Sequence, residues 1–348
     1  MKLKRKEVIE MDKYHELTEV MTNTPDNHEK LQLLEDWIAK ASRNNDVKWE
    51  FETRLAQNEV AVNVGRYDLL MDNFSWCLDE VENTDADLPT DVMLRQYRWF
   101  LGYIDFFPNV SKHEVDEYFD HYKETLQKNT YSLRSYYQLR AYHALKSGYH
   151  TSLPSLRTMW LQEKRDTVSD GEWNEKQLLM RIHFELGEMK QGFTLASELQ
   201  QAGFVGEDIP HKVYPHLLLP AWNEDRREEA NLWKEQGYFL IKRQPKYLIE
   251  ASYHLLYLAM TDIKKAYAFF LEHIQLADEQ NDFYTRFYFY LASWCMLDVA
   301  RAQEYHVNED SSWFLHHVPE LAEDFDARNG NHYFKETIDL WFSYIESR

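Results

Sequence analysis

Arginine recurs beside aromatic residues along this chain, and that pairing is the feature best suited to recognition chemistry. The settings are Leu94-Arg95-Gln96-Tyr97-Arg98-Trp99, the run from Leu133 to Arg140 that holds Arg134 and Tyr137, Arg181-Ile182-His183-Phe184, and Arg286-Phe287-Tyr288. A guanidinium holds its donors in a fixed fork that meets a carboxylate at two points, and tyrosine adds amphipathic contact at small entropy cost. A surface built from Arg54, Arg95, Arg98, Arg134, Arg140, Arg181 and Arg286, with Asn58, Tyr137 and Tyr257 among them, is expected to hold an extended peptide with acidic groups or a free C-terminal carboxylate. Arg98, Arg140 and Arg181 are the foremost candidates. The competing expectation is that each arginine pairs with a nearby Glu or Asp, as surface charges commonly do.

Other constellations offer less. His113, Glu117 and His121 fall four apart and share one helix face, but two full turns rarely converge on one metal ion, and Glu114, Asp116, Asp120 and Glu124 around them read as a solvated face. His316-His317 and His332 add no better set. Cys77 and Cys295 each sit inside an apolar stretch, as buried free thiols do, and two such cysteines build no disulfide scaffold. Carboxylate pairs are expected by chance among 59 acidic residues, and no phosphate loop, His-Glu-x-x-His or Gly-x-Ser-x-Gly motif occurs. No catalytic residue, metal or cofactor is expected, and the function expected is non-catalytic binding of a protein or peptide.

The elements that would carry these residues are helices. Apolar spacing stays near 3.6, strict alternation is absent, and glycine is scarce at 10 residues, which favours short connections between helices. The spacing predicts helices near 3–21 and from Asp26, where Asp26 to Glu29 reads as a capping box, then pairs 46–64 with 67–82, and 90–106 with 111–128, the latter opened by a capping box at Ser111 to Glu114. It continues with 131–147 and 152–165, 172–186 and 189–202, 208–222 and 224–241, 246–260 and 262–278, 282–305 and 311–328, and a last helix at 331–346. First helices recur every 36 to 44 residues or so, which is the mark of stacked helical hairpins that cannot bury their apolar faces alone. The division expected is an N-terminal helical pair at 1–44 and a helical-repeat domain at 45–348.

At the turns the chain resembles the tetratricopeptide repeat. Asp262-Ile263-Lys264-Lys265-Ala266 followed by Phe270 keeps that family's order, with Tyr257 at its aromatic position in the first helix. Gly65-Arg66-Tyr67 followed by Phe74 and Cys77 keeps the turn and the later positions, with Leu70 where alanine is usual. Glu228-Glu229-Ala230 with Gly237, and Gly187-Glu188-Met189 with Ala196, match in part. The hairpins at 131–165 and 311–346 keep little beyond the turn glycine. The resemblance implies an all-α, right-handed superhelix of antiparallel helical hairpins (a TPR-like α-solenoid), its concave side lined mainly by the first helix of each pair.

Composition narrows the partners. A net charge of −20 repels nucleic acid and anionic membranes alike. The basic start MKLKRKEVIEMDKYHELTEV acquires acids before any apolar run, unlike a signal peptide, and no stretch reaches the length of a bilayer span, so a cytoplasmic protein is expected. In size and helical-repeat content the chain is similar to the cytoplasmic receptors with which Gram-positive bacteria read signalling peptides. It lacks their N-terminal DNA-reading helix-turn-helix. An alternative from another class is a carbohydrate-active α/α-toroid enzyme, for which Trp37, Trp99, Trp160, Trp173, Trp222 and Trp313 would stack on sugars; the low glycine count speaks against its long loops. The last helix carries Tyr333, Phe334, Ile338, Trp341, Phe342 and Ile345, which is broad for a one-sided cap and marks an expected homodimer surface.

Overall fold

The computed structural model describes residues 2–84, 88, 90–203, 205–206 and 208–347. Among the described residues the protein is all-α, with seventeen helices packed in sequence-adjacent pairs, no strand, and one isolated antiparallel bridge between Gly206 and Ile209. Contacts divide the chain into two compact units, Met1–Phe100 and Leu101–Arg348.

The first unit holds α1 (Lys2–Asn23), α2 (Asn27–Arg43), α3 (Val47–Val64), α4 (Tyr67–Asn83) and most of α5 (Thr90–Tyr103). The Asp26 carboxylate caps α2 by accepting from the amides of His28 and Glu29. Gly65 ends α3 at φ 76°, a left-handed conformation without steric cost for glycine. Leu31 and Leu34 of α2 share a buried cluster with Val60 of α3, so the helices at 1–44 have a core in common with the hairpin after them.

The second unit continues through α6 (Lys112–Lys128), α7 (Arg134–Ser147), α8 (Leu153–Gln162), α9 (Glu172–Glu185), α10 (Met189–Ala202), α11 (Pro215–Asn223), α12 (Arg227–Ile241), α13 (Leu248–Thr261), α14 (Ile263–Asp278), α15 (Phe283–Ala302), α16 (Ser312–Asn329) and α17 (Tyr333–Glu346). Ser111 and Glu114 form the expected capping box. The helix expected over 208–222 is shorter. Pro210 lacks the amide that a helix interior needs, whereas Pro215 suits a first turn, and α11 starts there. The segment expected to be helical to 106 leaves α5 at Tyr103 for a single 3₁₀ turn, Ile104–Phe106.

Within this unit the first helices stack on one another: α7 on α9, α11 on α13, α13 on α15, and α15 on α17. One core cluster joins Met180 of α9 to Leu217 and Leu218 of α11 and Tyr257 of α13. The last hairpin also returns to the first segments of the unit. Arg328 Nη1 donates to the carbonyls of Asp105 (3.3 Å) and Phe107 (3.4 Å), Asn331 Nδ2 to Ser147 O (2.7 Å), and the Tyr149 hydroxyl to Asn329 O (2.8 Å). The rings of Phe106 and Tyr284 stack at 4.7 Å.

At the middle of this seam lies Asp105, fully buried. His143 Nδ1 is 2.7 Å away, Lys146 Nζ 3.0 Å and Arg328 Nη2 3.8 Å. Burial opposes the Asp105 charge, but His143, Lys146 and Arg328 outweigh it and hold the carboxyl far below its usual range. The seam is tight at Gly148 as well. Its φ is +78°, and a Cβ there would lie 2.3 Å from Tyr333 Cβ. Gly148→Ala combines left-handed strain with overpacking and is expected to lower unfolding free energy by about 3 kcal/mol in urea titrations. A loss under about 1 kcal/mol would mean that the turn and α17 part easily.

Much of the apolar surface of α17 is taken up inside the unit, while Leu340 stays 51% exposed. Phe334, Trp341 and Ile345 are buried, and Trp341 packs against Tyr253 of α13 and Tyr288 of α15 at 5.5 and 5.6 Å. Phe342 meets Trp294 at 4.7 Å.

Candidate binding site on the stacked first helices

The arginines singled out by sequence have different surroundings. In the first unit Arg54 pairs through Nη2 with Glu50 one turn earlier (2.7 Å), donates from Nη1 to Asn73 Oδ1 (2.8 Å) and lies over the Trp76 ring. Asn58 is fully buried and donates to Gln96 Oε1 (2.9 Å), whose own amide donates to Leu55 O. These groups form a polar ladder through the unit. Buried beside it, the Cys77 thiol is pushed up to about 12 by desolvation. Arg95 is exposed, and Arg98 is half-buried.

In the second unit Arg134 is fully engaged. It grips Glu175 through Nε and Nη2 (3.0 and 2.7 Å) and donates Nη1 to the carbonyls of Trp160 and Glu163. Arg140 pairs with Asp116 at 2.8 Å above the Phe119 ring. Arg286 donates to Asp278 O at 3.2 Å. Tyr137 packs on a core cluster and Tyr257 is fully buried, its hydroxyl 3.4 Å from Asn231 Oδ1.

Arg181 differs from Arg54, Arg134, Arg140 and Arg286. Among the described residues it has no hydrogen bond and no carboxylate within ion-pair distance, and its guanidinium lies 5.7 Å from the Tyr142 ring centre. Burial opposes its charge, while Tyr142, Tyr253, Tyr284 and Glu250 around it outweigh burial and raise its pKa. Arg181 as a whole is half-buried. A cation so placed has its full donor set available for an incoming acceptor.

The surrounding groups come from one first helix after another. Tyr142 is on α7, His216 on α11, Glu250 and Tyr253 on α13, Tyr284 and Tyr288 on α15, and Tyr333 opens α17. The rings are linked: His216 to Tyr253 at 4.8 Å, Tyr253 to Tyr288 at 6.3 Å, Tyr284 to Tyr288 at 4.9 Å, and the Tyr288 and Tyr333 hydroxyls 3.4 Å apart. Desolvation raises Tyr253, Tyr284, Tyr288 and Tyr333 above the usual phenol value, so all four stay neutral hydroxyls. His216 Nε2 lies 3.8 Å from Glu250 Oε1, and burial holds the imidazole at about 4, uncharged at neutral pH. Lys212, in the segment before α11, pairs with Asp208 at 2.7 Å. Burial opposes its charge, but Tyr103, Asp208 and Glu250 hold it well above the usual lysine value.

Sequence reasoning found Arg181 and missed this setting. The available signal was tyrosine recurring in first helices, as at Tyr284 and Tyr288 one turn apart, but that spacing also fits simple core packing. The tryptophans considered for sugar stacking lie apart from it: Trp160 is fully buried, Trp222 lies under the Arg227 guanidinium, and Trp313 stacks on His317. Among the described residues no group of three His, Cys, Asp or Glu is placed to hold a metal ion, and no helix is long and apolar enough to cross a membrane. No protein-family model matches the chain, and no curated protein matches it in sequence.

Proposed function

We propose that the second unit is a non-catalytic receptor for an extended peptide or partner segment, laid along the stacked first helices with a carboxylate on Arg181. The observation that carries this reading is a half-buried arginine with no protein carboxylate within ion-pair distance, ringed by neutral tyrosines. Tyrosine supplies broad contact and hydroxyl hydrogen bonds at small entropy cost, and arginine supplies directional charge. In this reading the hairpins are degenerate tetratricopeptide-like repeats. Supporting it, Gly65 and Gly187 turn with positive φ, Asp262 caps its helix at the Lys265 amide, and the small residues Ala196, Ala230 and Ala266 are buried where second helices meet their partners.

The test is selection of a random peptide library with free carboxyl ends against the full chain. Peptides so enriched should lose roughly 10- to 100-fold in affinity with Arg181→Gln, the usual value of one charged hydrogen-bonded contact. Amidating the peptide's carboxyl end, or its acidic side chain, should cost a similar factor. Unchanged affinity in the variant would remove Arg181 from the reading, and a library yielding no binder would remove the receptor itself.

A further inference from the structure

One turn before Tyr253 on α13, Glu250 faces His216 of α11. Glu250 Oε1 and His216 Nε2 are 3.8 Å apart, too far for a hydrogen bond, and the two residues are only 5% and 7% exposed. His216 Nε2 has no hydrogen-bond partner. Among the described residues, no other residue donates to the Glu250 carboxylate, and no lysine or arginine reaches it within ion-pair distance. Lys212 is held by Asp208 at 2.7 Å, and Arg181 acts on Glu250 only from beyond contact. The imidazole is uncharged at neutral pH and cancels none of the carboxylate's charge. Burial opposes that charge, but His216 and Lys212 outweigh it and hold the Glu250 carboxyl below its usual range. Each of these buried groups carries a desolvation cost that one incoming donor would offset for both.

Resting on the reading of Arg181 as a carboxylate seat, we propose that Glu250 and His216 form a second station of that site, one that takes a primary ammonium group of the same peptide. The ammonium is a lysine side chain or a free amino end. It has three donors, enough to meet Glu250 and an accepting His216 Nε2 together. A nitrogen about 2.9 Å from each fits over two atoms 3.8 Å apart. The Tyr253 ring, 4.8 Å from the His216 ring, adds an aromatic face that attracts a cation. Glu250 is also among the groups that hold Arg181 and Lys212 charged, so it lies within electrostatic reach of the Arg181 seat. A ligand bringing only a carboxylate to Arg181 adds an anion beside an anion. One that also brings an ammonium to Glu250 sets each of its charges against the opposite one. Arg181 on α9, His216 on α11 and Glu250 on α13 give the order of those charges along the stack.

The probes are random synthetic peptides with free carboxyl ends and no arginine, screened on the full chain. They are made with amino ends free or acetylated, and with or without lysine. Binders should come from the pools that keep an amine, and the richest pool tells a lysine from an amino end. For an enriched peptide, acetylating that amine should weaken binding to wild type roughly 10- to 100-fold. Against Glu250→Gln, which keeps the shape and removes the charge, the same acetylation should cost less than about threefold. Should Glu250→Gln lose the wild-type circular dichroism, the acetylation series on wild type decides alone. Acetylated, lysine-free peptides that bind as tightly as their amine counterparts, yet still weaken with Arg181→Gln, overturn the ammonium station and leave the receptor standing. So does an acetylation cost that a folded Glu250→Gln leaves unchanged. A library with no binder removes both.

Discussion

Asp105→Asn is expected to cost the second unit about 3–5 kcal/mol, more than any other single conservative change considered for it. The substitution keeps the shape and removes the charge. Lys146 and Arg328 then remain, with side chains 1% and 3% exposed, as cations with no carboxylate beside them. Removing one partner of a buried ionic cluster is far more harmful than never having built it, because the desolvated opposite charges are stranded. Asp116→Asn is the control: its pair with Arg140 is 43% exposed on the acid side, and such pairs are worth under about 1 kcal/mol. Urea midpoints of the two variants decide the matter. Equal, small losses would show that Asp105 is not what holds the seam.

The second large effect is acid destabilisation well above the carboxylate range. Burial lowers His254 to about 3 and His216 to about 4. Unfolded, both return to about 6.5. Between those values the unfolded chain binds more protons than the folded one, so stability is complete above the unfolded value and drains away as pH falls toward the folded values. From pH 7 to about 4.5 each histidine accounts for about 2 kcal/mol, or roughly 4 kcal/mol together. Asp105 acts in a different window. Its depressed pKa contributes stability above the unfolded carboxylate value of about 3.9 that is lost only below it. Urea titrations at both pH values should therefore show a steep loss that His254→Leu flattens by about half. Equal losses in wild type and variant would mean that some other group takes up the proton.

The architecture was legible because hairpin repetition writes itself into a single sequence. A period near 40, turn glycines such as Gly65 and Gly148, and capping residues such as Asp26 and Ser111 are local signals, and the structure contains the helices they mark. The fate of each arginine was legible only where its partner is local. Glu50 lies one turn before Arg54 and can be read from the sequence, but Glu175 is 41 residues from Arg134 and Asp116 is 24 from Arg140, so those pairings depend on how hairpins stack. The lining of the candidate site was hidden for another reason. α13 and α15 are buried on almost every side, so no amphipathic period separates Tyr253 or Tyr288 from the core residues beside them. The start of α11 was misjudged because apolar spacing over 208–222 outweighed the three prolines within it, Pro210, Pro215 and Pro220.

The return of the last hairpin to the first segments has a consequence for biosynthesis. Arg328 reaches the carbonyl of Asp105 across 223 residues of chain. An open array can zip up behind the ribosome, each hairpin docking on the one before. Here Asp105, His143 and Lys146 emerge early and wait for their last cation, and at roughly 5–20 residues per second that delay is on the order of tens of seconds. Until then the nascent unit exposes a half-built ionic cluster and the bare flank of α7, which is the surface a chaperone would meet.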